Sequence, residues 1–100
     1  MRLHQLNQSH YPAEMASDIL LAIQPLDAVL LIEAAALRVT KHTDALLEEL
    51  HSLGAPVYIL QDDKQAYGIT DKQAASHKVD CISHHEWVEL TCQYDSQVAW

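Results

Sequence analysis

Cationic side chains are scarce. Six Lys and Arg stand against 14 Asp and Glu, a net charge of −8 with histidine neutral. Phosphate recognition needs clustered cations, so a nucleic-acid-binding surface is not expected. Glycine is scarcer still, with only Gly54 and Gly68. That excludes the glycine-rich loops that let phosphates approach a bare backbone. There are two cysteines, Cys81 and Cys92, with ten residues between them. They form neither a C-x-x-C motif nor a disulfide framework, which points to free thiols in a reducing compartment. Long apolar runs are missing. Ala28–Ile32 and Ala34–Leu37 fall far short of the roughly 20 residues of a membrane span, and Met1–His10 lacks the apolar stretch of a secretory signal.

What is present reads as one α/β domain over residues 1–100. With 49% hydrophobic residues, the chain can bury one core. It has little room for a private cleft, so a deep site is expected to be shared with a partner chain. Leu3–Leu6 alternates as a first strand. Met15, Ile19, Leu20 and Ile23 recur at helical spacing behind Pro12, predicting a helix over about 13–23. Asp27–Ile32 is the clearest strand, and its continuous apolar run Ala28–Ile32 is the pattern of a strand covered on both faces. Ala34–Val39 suits one or two helical turns. A helix capped at Thr43 or Asp44 carries Leu46, Leu47, Leu50 and Leu53 and stops at Gly54. Val57–Leu60 is a third buried strand, and Asp62 and Asp63 open a short helix. Residues 69–78 give no clear pattern. Val79–Ile82 is a fourth strand, which places Cys81 inside the core. Ser83 and Glu86 have capping-box spacing at the head of a last helix. Asp95–Trp100 closes as a strand or an ordered arm. The alternation predicts a three-layer α/β/α domain with a small, mostly parallel sheet of four or five strands.

Sites in such sheets lie at the carboxyl ends of the strands. Those ends carry Asn7, Gln8, Ser9, Glu33, Gln61, Asp62, Asp63 and Ser83. A small anion at the head of the first helix is one reading. Phosphoacceptor chemistry at Asp62–Asp63 lacks the further carboxylates a Mg²⁺ ion requires. His77, His84 and His85 cluster in sequence, but adjacent His84 and His85 diverge at a helix start, so no metal is assigned. Cys81 in a strand and Cys92 near a helix carboxyl end are poor places for a thiolate. Trp100 is too large to be left in water. It packs on its own core or in a subunit interface.

Leu3-His4-Gln5-Leu6-Asn7-Gln8-Ser9, the run Asp27–Glu33 with Ala34–Ala36, Val57–Asp63 with Tyr67-Gly68-Ile69, and the closing Trp87–Thr91 and Ser96-Gln97-Val98-Ala99-Trp100 together resemble the DsrH/TusB family. The resemblance spans essentially the whole chain. It implies a DsrEFH-like fold and a cytoplasmic sulfur-relay subunit. In the TusB branch, TusB, TusC and TusD form a dimer of heterotrimers. That complex takes persulfide sulfur from TusA and passes it to TusE for 2-thiolation of the tRNA wobble uridine. In the DsrH branch, a similar assembly serves sulfur oxidation. The relay cysteine of these complexes sits in the TusD/DsrE-like subunit, and some DsrH-type members carry another near the first helix. This sequence has no cysteine before Cys81. The resemblance therefore implies a non-catalytic role without a cofactor, with TusC-like and TusD-like partners and indirect links to TusE-like and TusA-like carriers. Cys81 and Cys92 are alternative nucleophiles for a direct sulfurtransferase. Ser9, Glu33, Asp62 and Trp100 are the candidate partner-interface residues.

Overall fold

The computed structural model describes residues 1–100. The order is β1 (Arg2–Leu6), α1 (Ala13–Ala22), β2 (Ala28–Leu31), a 3-10 helix (Glu33–Thr40), α2 (Ala45–Ser52), β3 (Val57–Leu60), α3 (Gln61–Ala66), α4 (Asp71–Ser76), β4 (Asp80–Ile82), α5 (His84–Gln93) and β5 (Ser96–Ala99). The five strands form one sheet in the order β4-β3-β2-β1-β5, and every pairing is parallel.

This order makes the two faces unequal. From β1 to β4 the chain steps steadily across the sheet. Leu6, Val29, Leu31, Val57 and Ile59 face a large core with Ile19 of α1, Ala35, Ala36 and Val39 of the 3-10 helix, Leu46, Leu47 and Leu50 of α2, and Ala74 of α4. Full burial of each large aliphatic side chain stabilises by about 1.5–3 kcal/mol. From β4 the chain must cross back to reach β5, and α5 makes that journey over the opposite face. There Leu3, Ala28, Leu30 and Ile82 meet Trp87, Leu90 and Tyr94. No residue of α5 is itself buried.

Local chemistry sets the element ends. Asp44 caps α2 by accepting from Leu47 N–H at 3.1 Å, and Gly54 follows in the left-handed region at φ +80°. Ser83 and Glu86 form the expected capping box on α5, at 3.1 and 3.0 Å. The stretch without a clear pattern contains α4, held by a second capping box between Thr70 and Gln73. Two residues leave the predicted stripes, since Met15 and Leu53 are exposed. Cys81 is exposed as well. β4 is an edge strand of three residues, so Cys81, expected inside a buried strand, is covered on fewer sides than that placement implies.

Candidate functional site

The carboxyl ends of β1, β2 and β3 lie side by side, and the loops that leave them are tied together. Asp63, in the first turn of α3, accepts Glu33 N–H at 2.8 Å. Glu33 sits in the left-handed region at φ 51°, a conformation that non-glycine residues rarely adopt. This carboxylate therefore holds a strained turn at the end of β2. Asp62 beside it is exposed.

The loop after β1 is held from two directions. On one side is Arg38, a cation only 4% exposed. Its Nε donates to Gln8 C=O at 3.1 Å, and its Nη1 lies 3.3 and 3.2 Å from the two oxygens of Asp44. Its guanidinium also lies over the Tyr11 ring, 5.2 Å from the centroid. Lys41 Nζ donates to Ser9 C=O at 3.3 Å. On the other side, Tyr11 Oη accepts Asn7 N–H at 3.0 Å and donates to Trp100 C=O at 3.4 Å. Ser9 and Glu33 are thus fixed through their main chains, which leaves both side chains at the rim.

Trp100 packs on its own chain. Its ring packs against the main core, half-buried, and its indole N–H donates to His4 Nδ1 at 3.2 Å. His4 is fully buried, and its Nε2 faces Asp27 Oδ2 at 2.9 Å. Asp27 also accepts Arg2 N–H at 2.8 Å and Gln24 N–H at 3.0 Å. Burial alone would raise the Asp27 carboxyl. The hydrogen bonds from His4, Gln24 and Arg2 outweigh it and hold the group below its ordinary value.

Neither cysteine lies at this rim. Cys81 lines a shallow cavity of about 490 Å³ with Lys64, Asp71, Ala74 and Lys78. Cys81 is exposed, but the partial loss of solvent in this cavity pushes its thiol up, Lys64 pulls it down, and Asp71 and Glu86 push it up again, leaving it raised overall. A thiolate is disfavoured there. Cys92 is exposed on α5.

The structure also regroups the histidines. His84 stands edge-on to Trp87 at 5.5 Å, and His85 pairs with Glu89 on the surface of α5. His77 instead joins His42 and His51 around a cavity of about 470 Å³. His51 Nε2 and His77 Nε2 each lie 2.7 Å from a main-chain carbonyl, of His77 and Lys41 respectively. No three His, Cys, Asp or Glu side chains converge as a metal site. The grouping has no local sequence signal, because each of these residues lies at or beyond a different helix end.

Comparison with known proteins matches residues 8–97 to a family described as "DsrH like protein". Protein TusB of Klebsiella pneumoniae subsp. pneumoniae is 33% identical over 98 residues, covering 98% of this chain and 99% of that protein. Protein TusB of Serratia proteamaculans is 40% identical over 85 residues, covering 85% of this chain and 77% of that protein. The crystal structure of the ychN protein from E. coli superposes with a TM-score of 0.74 over 99% of this chain and 97% of its own, at 18% identity, a likeness of fold alone. With a family match over nine-tenths of its length, the chain belongs to the DsrH-like family.

Proposed function

We propose that this chain, acting as one domain over residues 1–100, is a non-catalytic subunit of a TusBCD-type sulfur relay in the cytoplasm, supporting 2-thiolation of the tRNA wobble uridine. Full-length likeness to proteins named TusB supports the relay. One observation carries the non-catalytic role: Cys81 sits off the carboxyl rim, with its thiol raised by burial. Persulfide transfer needs a stabilised thiolate. In this reading a TusD-like subunit supplies it, a TusC-like subunit completes a heterotrimer that pairs into a heterohexamer, and TusA-like and TusE-like carriers deliver and receive the sulfur. The rim residues Ser9, Glu33 and Asp62, with the open part of Trp100, face the partner.

Co-expression with TusC-like and TusD-like subunits from the same genome tests the reading. A complex that survives gel filtration at micromolar concentration is expected. The double variant C81S/C92S should keep full tRNA thiolation. Failure to assemble would remove the scaffold role. Loss of thiolation in the cysteine-free variant, with labelled persulfide on Cys81 or Cys92 of the parent, would establish a direct sulfurtransferase instead. Unchanged tRNA thiolation when the whole chain is deleted, together with impaired sulfur oxidation, would place it in a DsrH-type assembly.

A further inference from the structure

We propose that His4, Asp27 and Trp100 form a proton-sensitive latch, in which uptake of a proton at His4 Nδ1 releases the Trp100 indole and loosens the carboxyl-terminal strand from the sheet. The partners fix the tautomer. An indole N–H can only donate. His4 Nδ1, which receives it at 3.2 Å, must therefore carry a lone pair. The imidazole proton then lies on Nε2 and donates to Asp27 Oδ2 at 2.9 Å. Asp27 is anchored by two further N–H donors, from Arg2 and Gln24. The imidazole therefore has a fixed acceptor on one side and a fixed donor on the other, in a site closed to water. A proton from solvent placed on Nδ1 would set two donors face to face. A buried donor left without an acceptor is costly, and Trp100, half-buried where His4 and Asp27 are enclosed, is the partner that can move away.

The charged surroundings give that proton one counter-charge, Asp27. From α1, Ala16 and Leu20 pack against the same core as Trp100, while Glu14 and Asp18 are exposed. β5 contributes no titratable group between Ser96 and Ala99. Tyr94, at the carboxyl cap of α5, feels Asp27, and its phenol is raised, mainly by burial. Asp95 is paired with the amino terminus at 2.9 Å and exposed. At the carboxyl end, Arg38 faces Tyr11 but is already matched by Asp44.

The mechanical consequence reaches the rim. No residue of β5 is buried. Beyond its pairing with β1 and an exposed hydrogen bond from Gln97 Nε2 to Thr91 C=O at 3.3 Å, the strand is held by the Trp100 ring, which lies nearly parallel to the His4 ring with centroids 6.3 Å apart. Trp100 C=O is also the acceptor for Tyr11 Oη, which in turn receives Asn7 N–H. Release of Trp100 removes the far anchor of the loop that bears Ser9.

Nuclear magnetic resonance of the full chain between about pH 8 and pH 5, where imidazoles ordinarily charge, tests the latch. At pH 8 the His4 ring should show Nε2–H with a bare Nδ1, and the Trp100 indole proton should be protected from exchange. On acidification both signals should change in one transition, with protection in β5 falling at least tenfold while the Val29–Leu31 amides stay protected. H4Q should abolish the transition. W100F keeps an aromatic ring but removes the donor, and should leave β5 protection unchanged between pH 8 and pH 5. An indole proton that stays protected throughout, a transition that persists in H4Q, or loss of β5 only together with the whole fold would overturn the proposal. Should H4Q not fold, an acid-induced loss of β5 protection that persists in W100F would do the same.

Discussion

Replacing Arg38 by Met should be among the costliest single changes in this chain, and the cost can be traced to one stranded charge. Arg38 and Asp44 are 4% and 5% exposed. The Arg38 side chain supplies two contacts to the Asp44 carboxylate, at 3.3 and 3.2 Å, and one to Gln8 C=O at 3.1 Å. Methionine fills much of the space and supplies none of them. Asp44 would keep Leu47 N–H at 3.1 Å and Lys41 at a looser 3.8 Å. Breaking a buried pair from one side costs about 3–5 kcal/mol. Lys41 places the cost at the lower end of that range. At about 4–8 °C per kcal/mol for a domain of this size, Tm should fall by at least 12 °C. The double variant R38M/D44N removes the stranded charge and keeps a good helix cap, so it should recover more than half of the loss. Urea unfolding of the two single variants and the double variant measures the coupling. An R38M protein within about 1 kcal/mol of the parent, or a double variant no more stable than R38M, would refute the reasoning.

Cys81 should react slowly with iodoacetamide at pH 7, the rate rising only above the ordinary cysteine range, because burial disfavours its thiolate; a rate at pH 7 matching that of a small free thiol would contradict this. Asp27 titrates below its unfolded value. Its stabilising contribution is therefore complete above about pH 4–5 and lost as pH falls through the lower folded value, so urea midpoints should drop on acidification and drop less in D27N; parallel curves would exclude the assignment. Leu26, 75% exposed, has φ 74° in the turn closed by Asp27 N–H to Gln24 C=O at 3.0 Å. Behind Pro25 that position favours glycine, and L26G should raise stability by up to about 1 kcal/mol in thermal unfolding; a loss of stability would show that the leucine is not strained there. Ser83→Ala should cost about 1 kcal/mol through the lost cap on α5, and an unchanged Tm would deny the capping box an energetic role.

The interior of the fold was legible because its signals are local. Ala28–Leu31 reads as a strand covered on both faces, and all four residues are buried. Ser83 and Glu86 announce a helix start, and Leu46, Leu47 and Leu50 announce a buried stripe. The Thr70-x-x-Gln73 box was equally present in the residues, hidden by the polar stretch around it. Other features depend on strand order, which no local pattern carries. Cys81 is exposed because β4 ends the sheet, and Val79 and Ile82 give no hint of that. The division of the helices between faces follows from β5 returning to lie beside β1. Whether Trp100 meets its own core or a neighbour turns on His4, 96 residues away in sequence. Strand-end reasoning puts Ser9, Glu33 and Asp62 just after β1, β2 and β3, and that is where the fold carries them. The Arg38 clamp that positions them was missed, since one arginine in an otherwise apolar helical stretch does not show its partner.

The two supports of the β1–α1 loop differ in kind, and that difference matters more than either support alone. Arg38 and Lys41 hold Gln8 C=O and Ser9 C=O through cations that keep their charge at physiological pH. Tyr11 and Trp100 hold Asn7 N–H through neutral groups whose far end rests on a histidine. Salt weakens a partly exposed cation such as Lys41 and leaves a neutral hydrogen bond nearly untouched. Protons act the other way, through His4, and leave Arg38 charged. The two halves of the loop should therefore loosen under different conditions, Ser9–His10 with added salt and Asn7 with added acid. Amide exchange rates along residues 7–10 would show that separation. Equal responses of all four amides to both treatments would mean that the loop moves as one piece and that the supports are not independent.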